Sequence, residues 1–201
     1  VSSQDIMINL VEMKKVLVAC EYSQIVTKAF RTAGASAWSC DVIDCEGGHP
    51  EWHFKCDVRS LLSQSWEWDL VIAHPPCTYL SRAGARWIHG DEVRKKRMME
   101  AREFFMMFTQ LRCPTCIENP YPLSAAGLPK WTQVICPSDY GHDYVKHTCL
   151  WLYDLPELLP THCHNINARS WVGHCAGTGK RRARFWEGIA QAMAEQWLPL
   201  V

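Results

Sequence analysis

A cysteine follows two prolines at His74-Pro75-Pro76-Cys77, where the apolar run Asp69-Leu-Val-Ile-Ala73 ends. Each proline ring fixes its own φ and restrains the residue before it, so the pair makes an extended, rigid turn. Such a turn holds the Cys77 thiol at one place over a pocket. The thiol becomes a nucleophile where nearby positive charge or a proton acceptor favours the thiolate. Standing alone, a Pro-Cys reads as a buried strand-end residue. Here a second group accompanies it: about 40 residues on, Ile117-Glu118-Asn119 sets a carboxyl and an amide at the end of another short apolar run, stopped by Pro120.

The elements that must position these groups alternate along the chain. Val16-Leu-Val-Ala-Cys20 is bounded by lysines and reads as a buried parallel strand. A helix is predicted from about Ser23 to Thr32, with Ile25, Val26, Ala29 and Phe30 on one face and Gly34 ending it. Further strands are expected at Ala37–Asp41, His53–Asp57, Asp69–Ala73, Thr115–Asn119 and Thr148–Leu152. Helical patterns cover Asp91 to about Leu111 and Trp186 to Trp197. Strands alternating with helices predict an α/β domain of Rossmann-like type with a largely parallel central sheet.

In such sheets a ligand lies beyond the carboxyl ends of the strands, near the switch in strand order. Those ends carry Glu21, Asp41, Asp57, the His74–Cys77 turn and Glu118-Asn119. Asp41 stands 20 residues beyond Glu21, the distance that suits an acid binding ribose hydroxyls. No glycine-rich phosphate loop follows the first strand, since Cys20-Glu21-Tyr22-Ser23-Gln24 intervenes and the next glycine is Gly34. A pyrophosphate needs close backbone approach, so NAD and ATP are disfavoured. A cofactor with a ribose, an adenine and a charged amino acid but no phosphate fits better. Cys20, Glu21, Tyr22, Ser23, Asp41, Asp57, His74 and Pro75 are the expected cofactor contacts.

Asp69-Leu-Val-Ile-Ala-His-Pro-Pro-Cys-Thr-Tyr-Leu-Ser81 resembles the Pro-Cys turn of cytosine-C5 methyltransferases, and Ile117-Glu118-Asn119 resembles their Glu-Asn motif. Most of the chain from Val16 onward is similar to a group of short, phage-associated proteins labelled DNA-cytosine-methyltransferase-like. The similarity is carried by Val16–Ser23, Trp38–Asp41, Trp68–Ser81, Glu118–Pro120, Lys146–Leu152 and Gly188–Trp197. The resemblance implies a Rossmann-like, S-adenosylmethionine-dependent methyltransferase fold. It further implies that Cys77 adds to C6 of cytosine, that Glu118 protonates or hydrogen-bonds N3, and that Asn119 holds the turn or the Glu118 carboxyl. The methyl group then passes to C5, and loss of the C5 proton expels the thiol. Cytosine C6 is a poor electrophile until N3 is protonated, which gives a carboxyl beside the thiol a specific task. In the apolar setting of Ile117 and Pro120, Glu118 is expected to have a raised pKa. Pro76, Ser81, Lys146 and Arg182 are the expected substrate contacts.

The chain departs from the larger members of that family in two ways. It lacks their Phe-x-Gly-x-Gly and Gln-Arg-x-Arg stretches, Lys146 being the nearest candidate for a base-contacting cation. Only about 30 residues separate Leu152 from Arg182, where those enzymes carry a large target-recognition region. Reading a duplex takes base-edge contacts over several pairs, and flipping a base costs a few kcal/mol. The substrate is therefore left open among duplex DNA read with a protein partner, single-stranded DNA, RNA and a free cytosine nucleotide. Basic residues cluster at Arg94–Arg97 and Lys180–Arg184, as a phosphate grip or a solvated face, although formal net charge is zero.

Two further activities compete with this reading. The His-Pro-Pro-Cys turn also resembles the Asn/Asp-Pro-Pro-Tyr turn of amino-methyltransferases, but Tyr79 comes two residues after the place of their aromatic. The other is a catalytically silent Rossmann-like module that binds nucleic acid or a partner protein.

Eleven cysteines in a chain of 201 residues read as reduced thiols, catalysis or metal binding, because the core is large enough to fold without disulfides. Cys113 and Cys116 have zinc-pair spacing but also suit the lining of a strand. A small Cys/His-rich loop over residues 153–181 is the better structural-zinc candidate, with Cys163, His164, His174 and Cys175 as ligands. Residues 1–12 read as an extension ahead of Met13-Lys14-Lys15, and 13–201 as one domain. No apolar run reaches the roughly 18–20 residues of a membrane span, and the expected location is cytoplasmic.

Overall fold

Continuous apolar runs build the centre of the sheet. In the computed structural model, which describes residues 13–62, 68–82, 91–165, 167–171 and 184–201, β1 (Lys15–Ala19) and β4 (Leu70–Ala73) lie side by side, buried on both faces. Runs without polar alternation suit strands covered on both sides. Outward from β1 come β2 (Ser36–Asp41) and β3 (His53–Lys55), and beyond β4 comes β5 (Thr115–Asn119), all parallel. The sheet then turns mixed: β8 (Thr148–Tyr153) runs antiparallel between β5 and β6 (Gln133–Ile135), giving the order β3-β2-β1-β4-β5-β8-β6. A separate ribbon pairs β7 (Tyr144–Val145) with β9 (Arg169–Ser170). The architecture is a Rossmann-like α/β fold with a largely parallel sheet flanked by helices.

Alternate residues of each strand feed opposite faces, as the strand period requires. Val16, Val18 and Ile72 pack beneath α1 (Ile25–Thr32) and α4 (Glu187–Trp197), with Phe30, Met193 and Trp197 completing that core. Leu17, Ala19 and Val71 face α2 (Val58–Leu62) and α3 (Glu92–Phe108), through Leu61, Phe105 and Phe108. The Phe105 and Trp151 rings meet edge to face at 4.9 Å.

Local chemistry sets the helix ends. Asp91 accepts the Arg94 amide at 2.9 Å, as an aspartate cap does, and so starts α3. Gly34, at φ 98°, follows the cap Ala33 and ends α1 in the left-handed region open to glycine. The expected helix ending near Leu111 stops instead at Phe108, where the Thr109 hydroxyl bonds back to the Met106 carbonyl at 2.8 Å. The third strand stops at Lys55, two residues short of Asp57. No described helix is long and apolar enough to cross a membrane. The expected extension at 1–12 lies outside the described residues.

Candidate active site

The Pro-Pro-Cys turn continues β4 directly. The His74 amide extends the ladder to the Ala19 carbonyl at 2.9 Å, and the Cys77 carbonyl then accepts the amides of Leu80 and Ser81. Because β4 and β5 are parallel with Ala73 opposite Ile117, the next residues along, His74 and Glu118, come alongside each other. Asn119 is buried, and its side-chain amide donates to the Pro75 carbonyl at 2.7 Å. Beyond the turn, the Leu123 amide donates to Leu80 and the Arg82 amide to Tyr121. Ser81 is buried in a bridge with Pro122, so its place is in the seam joining the two segments.

Glu118 lies in this seam with only 13% of its side chain exposed, and the His74 side chain is 12% exposed. His74 Nδ1 lies 3.1 Å from Glu118 Oε2. Burial pushes the Glu118 carboxyl up, but the bond and charge of His74, the charge of Lys146 and the Thr148 hydroxyl together hold it below the usual range. The expected upward shift is thus corrected. The apolar neighbours Ile117 and Pro120 are on the page of the sequence, whereas the imidazole comes from another strand.

On the other side of the turn a cleft of about 800 Å³ opens at the carboxyl ends of β1, β2 and β3, beneath α3. Cys20, Asp41, Asp57, Pro76, Tyr79 and Arg97 are among its lining residues. It lies where the strand order reverses between β1 and β4, the general ligand position in such sheets. Asp41 Oδ1 accepts the Ile43 amide at 3.3 Å, and Asp57 is gripped by the Arg59 guanidinium. Arg59 holds the Asp57 carboxyl below its usual range. Cys20 occupies the left-handed region at φ 60°, and burial, with Asp41 and Asp57 nearby, pushes its thiol up to about 12. The thiols of Cys40 and Cys56 also line the cleft, 3.8 Å apart. Arg94 and Arg97 stand over the Tyr79 ring at 5.2 and 5.8 Å, and Arg97 donates to its hydroxyl at 2.8 Å.

Several residues expected at the cofactor face elsewhere. Glu21 is buried, with its carboxylate accepting the Val26 and Thr27 amides at 2.7 and 3.2 Å and the Thr27 and Ser23 hydroxyls at 2.7 and 3.3 Å. It caps α1 rather than lining the cleft. The Tyr22 carbonyl accepts the Glu46 amide at 2.7 Å. His74 turns to Glu118, and Pro75 is buried under Asn119. The position of α1 relative to Glu21, which decides this, has no signature in the local sequence.

Among the described residues no group of three or more His, Cys, Asp and Glu side chains is arranged to hold a metal ion. His164 bonds Asp139 and Ser138, and Cys163 is exposed. Cys116 is buried in β5, with Cys113 just ahead of that strand. Their proposed partners His174 and Cys175, and the expected substrate contact Arg182, lie outside the described residues. The ten described cysteines are all free thiols. Compared with protein-family models and with curated proteins, the chain finds no match.

Proposed function

We propose that this protein is an S-adenosylmethionine-dependent methyltransferase acting on C5 of cytosine, in a nucleic acid or nucleotide, through a Cys77 adduct. The observation that carries this reading is the seam between β4 and β5. Two short motifs more than 40 residues apart meet there, with Asn119 fixing Pro75 at 2.7 Å two residues before the thiol. A thiol on a proline-stiffened turn and a carboxyl at the end of the adjacent strand are the kinds of group this chemistry requires.

The cleft residues fit the cofactor. Asp41 ends β2, where an acid suits ribose hydroxyls, and the cleft volume falls within the roughly 300–1,000 Å³ of small-molecule sites. Glu21 already fills the α1 N-terminus with an anion, so a phosphate-bearing nucleotide is disfavoured while a phosphate-free nucleoside is not. Asp41, Cys20, Asp57 and Pro76 would hold it, with Arg97 at the cleft edge. When bound, it supplies an electrophilic methyl group on a sulfonium.

The protein's own residues do the rest. Cys77 sulfur bonds to C6 as Glu118 handles the proton at N3, which moves electron density to C5. Asn119 keeps the turn from recoiling during the addition. Solvent water takes the C5 proton, the C–H electron pair forms the C5–C6 double bond, and the C6–sulfur bond breaks with its pair leaving on the thiolate. The Arg94–Arg97 cluster and Arg82 offer cations for phosphates beside the turn.

A second reading, a binding module without chemistry, draws support from Glu118. His74 and Thr148 already satisfy that carboxylate in the absence of any base. Nucleoside mass spectrometry separates the two. Wild type and Cys77→Ser are incubated with S-adenosylmethionine and duplex DNA, single-stranded DNA, RNA or dCMP. The expected result is 5-methylcytosine with wild type only. Methylation at the exocyclic amine in both proteins would instead establish the amino-methyltransferase. No product together with no cofactor binding would leave the silent module.

A further inference from the structure

His74 adds a second titratable group to the site. Its backbone is fixed by the bond to Ala19, its ring packs on Phe185 at 4.8 Å, and its Nδ1 is 3.1 Å from Glu118 Oε2. The other ring nitrogen, Nε2, is buried and has no hydrogen-bond partner among the described residues. Buried side-chain nitrogens are seldom left without a partner in folded proteins. Around the pair stand Lys146 and Thr148 from the approach to β8 and its start, Cys116 on β5, and Cys149 on β8 with Arg82 acting on it. Among these, His74 is the imidazole bonded to Glu118, a side chain able both to give and to take a proton.

At 3.1 Å, with both side chains largely shielded from solvent, the two groups share one hydrogen bond along which a proton can pass. We propose that His74 is the positioning residue of Glu118, and that the proton delivered toward N3 of the pyrimidine is drawn from the His74–Glu118 pair. This rests on the C5 reading above. In the step, the N–H bond at His74 Nδ1 breaks, leaving its electron pair on the ring, and Glu118 gains that proton. The Glu118 carboxyl protonates N3 as the Cys77 sulfur bonds to C6. When the thiolate leaves, the proton returns by the same route and recharges His74. No outside oxidant or co-reactant is needed.

The test compares wild type, His74→Gln and Glu118→Gln. Glutamine at 74 keeps an N–H toward Glu118 but cannot release a proton. It is expected to bind S-adenosylmethionine as wild type does, to lose on the order of 100-fold in kcat/KM, and to lose the alkaline limb of the pH profile. Rate and limb both retained would overturn proton delivery. In the free protein, NMR titration of the His74 ring is expected to shift between wild type and Glu118→Gln. An unchanged curve would overturn the pair, even with wild type active and even if His74→Gln does not fold. Absence of methyl transfer by wild type would instead overturn the C5 reading, and delivery to N3 with it.

Discussion

The Asn119 side-chain amide lies 2.7 Å from the Pro75 carbonyl, one residue further along β5 and β4 than the contact of Glu118 with His74. Both contacts follow from one register, Ala73 opposite Ile117. The parallel pairing therefore aligns an acid, an amide and a proline-stiffened turn at the same level of the sheet. Any shift of β5 along β4 would separate all of them at once.

Asn119→Ala removes the only donor described for the Pro75 carbonyl and is expected to cost about 1–3 kcal/mol, the usual penalty for a buried unpaired group. Urea unfolding should show a lower midpoint with unchanged slope. Cys77→Ser, near-isosteric and half-buried, should stay within about 0.5 kcal/mol of wild type. Methyl transfer should fall in both variants, so the comparison separates holding the turn from doing the chemistry.

Glu21 caps α1 with a carboxylate, and its loss leaves two buried amides and two hydroxyls without that acceptor. Glu21→Ala is expected to destabilise by about 1–2 kcal/mol, with Glu21→Gln between the two because one amide oxygen remains. Thermal unfolding followed by circular dichroism measures this. Equal stability of all three would show that α1 is held by packing alone.

Gly188 starts α4 against a wall. A Cβ there would lie 2.0 Å from the Tyr140 carbonyl oxygen and 3.0 Å from His142 Nε2. Backbone must move to admit it, so Gly188→Ala is expected to cost about 1–3 kcal/mol. Gly34, where a Cβ meets nothing within 4 Å but φ is 98°, isolates the conformational cost. Chemical denaturation of the two alanine variants compares clash with strain.

Acid should loosen the same corner. His142 Nε2 accepts the Gly188 amide at 3.0 Å, which requires the neutral ring. Burial is the largest influence on His142 and pushes its pKa below the ordinary 6.5. Its stabilising contribution is therefore complete above pH 6.5 and is lost as pH falls through the lower folded value. Glu118 follows the same direction further down: its contribution is complete above 4.5 and fades as pH drops through its depressed folded value. Melting temperatures followed from about pH 8 down to about pH 2 should fall less steeply below 6.5 in His142→Gln, and below 4.5 in Glu118→Gln.

Much of the sheet was legible in the chain. Val16–Ala19, Leu70–Ala73 and Thr115–Asn119 are short apolar runs bounded by polar or proline residues, and strands occupy them within a residue or so. Gln133–Ile135 escaped because three residues carry no period, and Val58–Leu62 makes little more than one helical turn. At the site, Cys77, Glu118 and Asn119 were visible as types and spacing. The partnership of His74 with Glu118 was not, since it depends on strand register across 44 residues. One signal did exist: His74 and Glu118 each immediately follow an apolar run, and equal positions on neighbouring parallel strands are neighbours in space. The turn of Glu21 toward the α1 amides was hidden for the opposite reason, because a place at a strand end does not say which way the side chain points.

The Glu21 cap has a consequence for selectivity. The start of the first helix is the general receptor for anionic ligands in folds of this class, and here a tethered anion occupies it. An intramolecular competitor of this kind acts at an effective concentration that a dissolved nucleotide does not match. A polyphosphate nucleotide would have to displace that carboxylate from the Val26 and Thr27 amides before using the helix start, whereas a ligand in the cleft that makes no demand on the helix would not.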